Sequence, residues 1–500
     1  MIPSGEPRPA AAVILHSPDG GDKVLLVQRS NQMKFLPGFY AFPGGKVDVQ
    51  DKQLAPGDSA WDTARVAAAR ELFEETGVLI ARGSEGSCPV ANPSLQAARK
   101  QLLEGKISFR EILEEEKLRI CSSDFLPAGV YVTPIFSPLR FQTWFFLCQL
   151  PAGQSIEIFT GELQKAQWNT PREFIQLWEQ GNCLLSPPVL SLTDFLAGYP
   201  HGSWPGQLQE RVDRIDSQKD PIRFYPDVQL VPVVCPGPGM PQAGNVYLLG
   251  REDFFLVDPG PLDESGLAAI DNALQARKNQ GHRLAAILLT HHHPDHVSQA
   301  RYLGEKEKVP VWAHELTRQL LKNTVTISRT LQDGEVLELP NGAWRNWRVI
   351  HTPGHAPGHL IFFNEQSGCL VAGDLVSTVT SIVVGPPEGH LATYLNSLKK
   401  ALELEAKMLF PFHGPPTLLV REEILKGLEH REKREQALLE RLSRGRATVA
   451  ILAKDIYRGL SSPLLPAASK QVQGGLIKLL EEGQVRCLSD GGQESWELVE

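Results

Sequence analysis

The stretch at residues 287–297, ILLTHHHPDHV, constrains this 500-residue chain more than any other part of the sequence. An apolar run ends at Thr290, and five of the next six residues can bind a metal: His291, His292, His293, Asp295 and His296. Side chains two apart in an extended segment point to the same side, so His291 and His293 form a pair while His292 faces away. Pro294 ends the extended segment, and we expect a helix over residues 296–303. The spacing therefore offers ligands for two adjacent metal ions.

Four further candidate residues each follow a short apolar run that is typical of a strand: Asp258, His355, Asp374 and His413. Side chains at strand ends converge on one edge of a layered sheet, where ligand sites form. The expected ligands are His291, His293 and His355 for the first ion, Asp295, His296 and His413 for the second, and Asp374 between them. Histidine and carboxylate ligands without cysteine favour two zinc ions, with iron or manganese as alternatives. Two such ions activate water, so the protein needs no nucleophile of its own.

The H-x-H-x-D-H motif and the order of the later ligands resemble the metallo-β-lactamase superfamily. The resemblance implies an αββα sandwich, which we expect over residues 227–420, and a hydrolase in which Asp295 is catalytic. Asp258 is expected to orient a ligand histidine rather than to bind metal. His359, in GHAPGH, either contacts the substrate or packs in the interior.

A second charged cluster lies on a predicted helix over residues 61–77. Glu71, Glu74 and Glu75 fall within one third of the circumference of this helix. Like charges so close repel each other unless cations bind them, which suits Mg²⁺ or Mn²⁺ holding a diphosphate. Gly77 is expected to end the helix in a left-handed conformation. A surface helix rich in glutamate is the alternative.

This cluster and the preceding FPGGKVD at residues 42–48 resemble the Nudix box, with an insertion of about 11 residues within 49–62. Residues 25–45 and 132–146 resemble Nudix coenzyme A diphosphatases of the peroxisomal branch. The resemblance implies an α/β/α sandwich over residues 1–200, a catalytic Glu71 supported by Arg70, and substrate contacts from Arg29, Gly44 and Gly45. A Nudix fold kept only as a docking or ligand-sensing module is the alternative.

Residues 421–500 show a long helix, two shorter helices and a closing pair of strands. This pattern resembles a small winged helix. Together with the preceding metal motif, it resembles the branch that includes an endoribonuclease acting on single-stranded RNA. Arg431, Lys433 and Arg434 either contact phosphate or form an ordinary solvated helix face.

Composition sets the remaining expectations. The fold class is α+β multidomain, with a Pro- and Gly-rich linker at residues 201–226. The net charge of −8 disfavours nucleic-acid binding over the whole surface. Seven scattered cysteines, no apolar run of roughly 18 residues and no basic amino-terminal signal predict a cytoplasmic chain without a membrane partner. The oligomeric state stays open.

Three functions are compatible with these features. The first is a bifunctional hydrolase that splits a nucleoside diphosphate such as coenzyme A in one half and an ester, thioester or phosphodiester in the other. The second is a ribonuclease with the Nudix half as an accessory. The third gives the Nudix half a non-catalytic role. The metal motif predicts hydrolysis without specifying the bond.

Overall fold

The computed structural model describes residues 6–17, 21–33, 36–159, 161–214, 220–235, 243–261, 263–342, 344–490 and 493–499. The chain forms two compact units. The first consists of Gly5–Pro134 and Leu139–Pro226, and the second is built mainly from Asp227–Glu500. Among the described residues, no helix has the length and apolar character needed to cross a bilayer.

The first unit is a mixed sheet with helices on both faces. The strands of this sheet are β1 (Arg8–His16), β2 (Val24–Arg29), β3 (Tyr40–Ala41), β4 (Gly44–Lys46), β5 (Leu126–Val132), β6 (Phe141–Gln149) and β7 (Leu163–Asn169), and a further strand outside this sheet is β8 (Ile222–Tyr225). Its helices are α1 (Val49–Leu54), α2 (Ala60–Thr76), α3 (Pro93–Leu103), α4 (Phe109–Glu115), α5 (Pro171–Glu179), α6 (Pro187–Ala197) and α7 (Trp204–Arg214). The order β3-β2-β1-β6-β5 forms the sheet, β4 pairs with β1, and β7 pairs with β2.

Two features of this unit bear on the sequence expectations. Gly77 ends α2 with φ of 76° and donates its N–H to Phe73 O, which confirms the left-handed cap. The expected linker at residues 201–226 is wrong, because α7 and β8 lie within it. Trp204 and Leu208 on α7 are fully buried in the core of the first unit, so this segment is part of the folded unit despite its Pro and Gly content.

The second unit contains two sheets with helices packed on them. The strands of one sheet, in spatial order, include β14 (Arg329–Leu331), β13 (Val311–His314), β12 (Arg283–Leu288), β11 (Asp253–Val257), β10 (Ala243–Gly250) and β9 (Val228–Val234). The other sheet has the order β15 (Val336–Glu338), β16 (Asn346–His351), β17 (Leu360–Asn364), β18 (Cys369–Gly373) and β19 (Met408–Pro411). The helices are α8 (Glu264–Asn279), α9 (Pro294–Val297), α10 (Ala300–Glu307), α11 (Glu315–Leu321) and α12 (Leu391–Leu402).

A helical segment closes the second unit. It comprises α13 (Val420–Leu442), α14 (Val449–Ile456), α15 (Leu465–Glu481) and the antiparallel pair β20 (Val485–Asp490) and β21 (Gln493–Leu498). Leu438, Leu452, Leu476 and Trp496 share one small core, which joins the long helix to the winged-helix pattern. The element order expected for residues 421–500 is therefore present.

The helix expected over residues 296–303 is instead two short helices, α9 and α10. The backbone N–H of Gln299 donates to Pro259 O at 3.0 Å rather than to a carbonyl of its own helix. Gly260 packs directly against the backbone of Asp295, since a Cβ at position 260 would be only 1.8 Å from Asp295 O. This close approach of two loops interrupts the helix and holds Asp295 and His296 at the edge of the sheet.

Candidate metal centre

The ends of five strands bring the expected ligands to one edge of the second unit. Asp258 follows β11, His291 follows β12, His355 follows β16, Asp374 follows β18, and His413 follows β19. Strands β11, β18 and β19 are buried throughout, so their apolar side chains hold the following polar residue in a fixed direction. The residues that the sequence spreads over more than 150 positions are thus gathered by the packing of two sheets.

The first donor group consists of His291, His293, His355 and Asp374. His293 Nδ1 lies 2.9 Å from His291 Nε2 and 3.0 Å from His355 Nε2. Asp374 Oδ2 lies 3.4 Å from His355 Nε2. The donor atoms of this group all lie within 4.8 Å of one another, which is compact enough for a single ion.

The second donor group consists of Asp295, His296 and His413. Asp295 Oδ2 lies 3.4 Å from His413 Nε2 and 3.9 Å from His296 Nε2. Asp374 faces this group as well, because its Oδ2 lies 3.6 Å from His296 Nε2 and its Oδ1 lies 3.7 Å from His413 Nε2. Asp374 is therefore placed between the two groups, as the donor count predicts.

Three donor atoms of this region support a cation. Asp295 Oδ2, His296 Nε2 and Asp374 Oδ1 are buried, and none has a hydrogen-bond partner among the described residues. A buried polar atom without a partner costs about 1–3 kcal/mol. Since three of them converge, the donor set fits a dinuclear metal site, in which cations would satisfy these atoms.

Contacts on the far side of each ring determine which nitrogen faces the centre. His296 Nδ1 donates to Asp258 Oδ2 at 2.8 Å, and His413 Nδ1 donates to Ala243 O at 3.1 Å. His355 Nδ1 donates to Val383 O at 2.8 Å. These three histidines therefore present Nε2 to the centre. Asp258 contacts His296, and its role of orienting this histidine stays a prediction.

His293 has the opposite orientation. Its Nδ1 faces the first donor group, and its Nε2 lies 3.1 Å from Glu388 Oε2. His292 Nε2 lies 3.0 Å from the same oxygen, outside both main donor groups, as expected for the residue between the two ligands. Glu388 lies in a loop without a recognisable motif, so no sequence signal could have identified it.

The pKa shifts of His291, His355 and Asp374 suit metal binding, whereas the raised pKa of His296 favours its protonated form in the absence of cations. Burial lowers the pKa of His355 to about 4 and places the pKa of His291 well below its usual value. Burial would also lower the pKa of His296, but Asp258, Asp295 and Asp374 together hold it well above its usual value. Burial opposes ionisation of Asp374, yet His413 and His296 hold the pKa of Asp374 well below its usual value. The negative charge of Asp374 is thereby available to cations.

A cavity of about 210 Å³ opens beside both donor groups. Its wall includes His293, Asp295, His355, Asp374 and His413. The opposite wall is formed by the loop at residues 380–389 and by Lys470 of α15. The winged-helix segment therefore contributes directly to the cavity at the metal centre.

His359 does not line this cavity. The residue is completely buried, its Nε2 accepts the backbone N–H of Asp374 at 3.1 Å, and its Nδ1 donates to Thr352 Oγ1 at 2.9 Å. Both ring nitrogens are engaged, so the structure contradicts a substrate contact. His359 instead holds the turn that presents Asp374.

The first unit arranges the Nudix residues around Arg70. The guanidinium binds both carboxylate oxygens of the buried Asp51 at 2.9 Å. It also binds Glu71 Oε1 at 2.9 Å and Glu74 Oε1 at 3.2 Å. Arg70 thus contacts two of the three glutamates, and its supporting role stays a prediction. Asp51 lies in the inserted residues before α2, where the sequence pattern provided no reason to expect a partner.

Glu75 lies at the inner side of this cluster. Its Oε2 accepts the N–H of Gly44 at 2.9 Å, and a Cβ at Gly45 would be 2.4 Å from the Glu71 carboxylate. Burial raises the pKa of Glu71 to about 7, and burial together with Glu71 raises the pKa of Glu75 to about 8. Gly44 and Gly45 therefore pack against the glutamates, while Arg29 lies close enough to influence Glu75 by its charge.

Among the described residues, the three glutamates do not form a compact donor group of the kind found in the second unit. Their raised pKa values show that the cluster disfavours its own negative charge. A divalent cation would offset this repulsion. The metal role of Glu71, Glu74 and Glu75 and the substrate contacts of Arg29, Gly44 and Gly45 stay predictions.

Arg431, Lys433 and Arg434 of α13 each have partners within the protein. Arg431 is buried and donates to Ile382 O and to Gln471 Oε1. Arg434 lies over the Tyr457 ring at 4.3 Å, and Lys433 pairs with Glu429 at 2.6 Å. Arg431 therefore fits neither of the two alternatives, a phosphate contact or a solvated helix face, because charge spacing cannot distinguish a buried arginine from a solvated one.

Comparison with known families agrees with these domains. Residues 239–413 match the metallo-β-lactamase superfamily, and residues 448–496 match the β-lactamase-associated winged helix domain. Residues 6–87 match the Nudix domain, and residues 50–193 match the NUDT19 Nudix domain. The chain therefore contains a Nudix domain, a metallo-β-lactamase domain and a winged helix domain. These families support a metal-dependent hydrolase.

Individual relatives cover one half or the other. Putative nudix hydrolase 7 of Caenorhabditis elegans is 31% identical over 187 residues, which is 37% of this chain and 59% of the relative. Atrochrysone carboxyl ACP thioesterase of Aspergillus chevalieri is 26% identical over 308 residues, covering 59% of this chain and 94% of the relative. The crystal structure of a β-lactamase domain protein from Burkholderia ambifaria has a TM-score of 0.50 at 22% identity, covering 57% of this chain and 96% of that one, and so shows the fold.

Proposed function

We propose that the second unit is a dinuclear metallo-hydrolase that cleaves a small ester or thioester. The observation that supports it most strongly is the convergence of three buried, unpaired donor atoms, on Asp295, His296 and Asp374. The proposed ions are two zinc ions, with iron or manganese as alternatives. Such ions would polarise the bond under attack and activate water.

The residues of the chain would then have separate tasks. The first donor group would hold one ion, Asp295, His296 and His413 would hold the other, and Asp374 would contact both. Asp295 is proposed as the catalytic carboxylate, because it lines the cavity and its buried Oδ2 has no hydrogen-bond partner among the described residues. The loop at residues 380–389 and Lys470 would restrict access to the centre and exclude bulk water.

A thioester is the favoured substrate class for two reasons. A relative of this half is named as a thioesterase acting on an acyl carrier protein. The Nudix half resembles coenzyme A diphosphatases, so both halves would act on pantetheine-containing molecules. Single-stranded RNA has less support, since Arg431 is buried and Arg434 and Lys433 are engaged within the helical segment.

For the first unit we propose Mg²⁺- or Mn²⁺-dependent hydrolysis of a nucleoside diphosphate derivative such as coenzyme A. The raised pKa values of Glu71 and Glu75 support this, because a divalent cation would stabilise their charged forms. Glu71 is proposed as the catalytic carboxylate. All seven cysteines are free, which suits the proposed cytoplasmic location.

One experiment tests both halves. The purified chain and its His293→Ala and Glu75→Gln variants would be incubated with coenzyme A, an acyl-coenzyme A thioester and single-stranded RNA. We expect His293→Ala to abolish only thioester cleavage and Glu75→Gln to abolish only diphosphate cleavage. RNA cleavage that depends on His293 would replace the thioesterase proposal, and intact diphosphatase activity in Glu75→Gln would refute the Nudix proposal.

A further inference from the structure

The loop at residues 382–390 contacts two ligands of the first donor group from outside. Val383 O accepts Nδ1–H of His355, and Glu388 Oε2 lies 3.1 Å from His293 Nε2. No residue of this loop belongs to the two main donor groups. The loop therefore acts on the first ion position through these two histidines.

Glu388 determines which nitrogen of His293 is available. A neutral imidazole carries one N–H, so the ring can present an unprotonated Nδ1 only when the proton is on Nε2. The Glu388 carboxylate accepts that Nε2–H, and an ionised acceptor makes the bond stronger than a neutral one would. The His293 ring is thereby held with Nδ1 toward His291 and His355.

The C-terminal helices keep Glu388 in place. Arg431 of α13 donates to Ile382 O, and a Cβ at Gly385 would be 2.1 Å from Lys470 O of α15. At the other end of the loop, His390 donates its backbone N–H to Gly354 O at 2.7 Å, and Gly389 bonds Gly385 at 2.9 Å. Glu388 is 42% exposed, yet the backbone that carries it is anchored on both sides.

We propose that Glu388 is a positioning residue that sets the affinity of the first metal ion through His293. The inference rests on the proposed dinuclear centre. It also assigns a role to the C-terminal segment, since α13 and α15 hold the loop that carries Glu388. The second ion has its own support, because Asp258, on a different loop, binds His296.

The test measures metal binding rather than turnover. The metal-free full-length chain would be titrated with Zn²⁺ against a chromophoric chelator, and bound ions would be counted after gel filtration. In Glu388→Ala, we expect one ion to bind about 10- to 100-fold more weakly, while the other ion is unchanged. Glu388→Gln keeps an acceptor oxygen without the charge and should have an intermediate effect.

Glu365→Gln is the control. Glu365 Oε1 lies 3.0 Å from Arg348 Nε, so this variant also neutralises one exposed, paired carboxylate, but neither residue belongs to the donor groups or to the loop at residues 382–390. Both ions should bind to Glu365→Gln with wild-type affinity. Thermal denaturation of the metal-free variants should match wild type, because Glu388 is exposed enough for substitution without loss of folding.

The outcomes separate this inference from the proposed function. A wild-type chain that binds no tight ion contradicts the dinuclear centre itself. A wild-type chain with two ions and unchanged affinities in both Glu388 variants overturns the role of Glu388 alone. Three ions in wild type and two in His292→Ala would also overturn it, because Glu388, His292 and His293 would then hold an ion themselves.

Discussion

Asp258 Oδ2 accepts hydrogen bonds from His296 Nδ1 at 2.8 Å and from Thr290 Oγ1 at 2.6 Å. Thr290 Oγ1 in turn lies 3.0 Å from His291 Nδ1. One buried carboxylate thus reaches a proposed ligand of each ion, directly in one case and through a hydroxyl in the other. We therefore expect Asp258 to influence both proposed ion positions.

The first prediction follows from that arrangement. Asp258 has φ of 52°, a conformation that asparagine also tolerates, so Asp258→Asn retains the backbone and loses only the charge. We expect both ions to bind about 10- to 100-fold more weakly in chelator competition. Weaker binding of one ion alone, as expected for Glu388→Ala, would show that the contact through Thr290 has no effect on the first ion.

A second prediction concerns His359. Replacement by alanine leaves the N–H of Asp374 and the hydroxyl of Thr352 without their buried partner, at a cost of about 1–3 kcal/mol in unfolding free energy. Urea denaturation of the metal-free protein measures this loss. In the metal-loaded protein, kcat should fall while KM is retained, since His359 does not contact the cavity. A selective rise of KM would restore the substrate role.

The metal centre was more predictable from sequence than its supports. Closely spaced histidines and carboxylates at strand ends can be recognised as candidate ligands in the sequence, because the strands of one sheet end at the same edge. Glu388 and Asp51 are single acids in a loop and in an insertion, and only tertiary packing places them beside His293 and Arg70. The sequence pattern also predicted a linker where α7 lies. Its proline and glycine suggested a loop, although Trp204 and Leu208 of the same segment are buried.

A third prediction tests the buried ion pair of the first unit. Arg70→Lys keeps the charge but cannot bind both oxygens of Asp51 in a planar fork. Arg70→Gln removes the charge and leaves Asp51 uncompensated, which should cost about 3–5 kcal/mol. We expect the loss of stability to be larger for Gln than for Lys in chemical denaturation. Equal stability of all three proteins would mean that the pair has no structural role.

A fourth prediction separates packing from RNA binding in α13. Arg431→Gln removes the donors to Ile382 O and Gln471, so the loop at residues 382–390 should loosen. We expect a lower melting temperature and weaker binding of the first ion. Lys433→Gln, at an exposed surface pair, is the control and should change neither. A loss of single-stranded RNA affinity in both variants, without loss of stability, would favour phosphate contacts.

The last prediction concerns the pH dependence of stability at α11. His314 Nδ1 accepts the N–H of Leu316 at the start of this helix, and its ring stacks on His351 at 4.1 Å. Burial, followed by the charge of His351, lowers the pKa of His314 to about 4, although Glu315 and Asp333 oppose the shift.

Because the pKa of His314 in the folded state lies below its ordinary value of 6.5, the unfolded chain binds the proton more readily. The stability contributed by neutral His314 is complete above pH 6.5 and is lost as the pH falls toward 4. His314→Asn keeps a good helix cap and does not titrate. We therefore expect wild type to lose more stability than His314→Asn between pH 6.5 and pH 4 in urea denaturation of the metal-free protein. Parallel pH profiles for the two proteins would contradict the assignment, since His314 would then titrate alike in the folded and unfolded states.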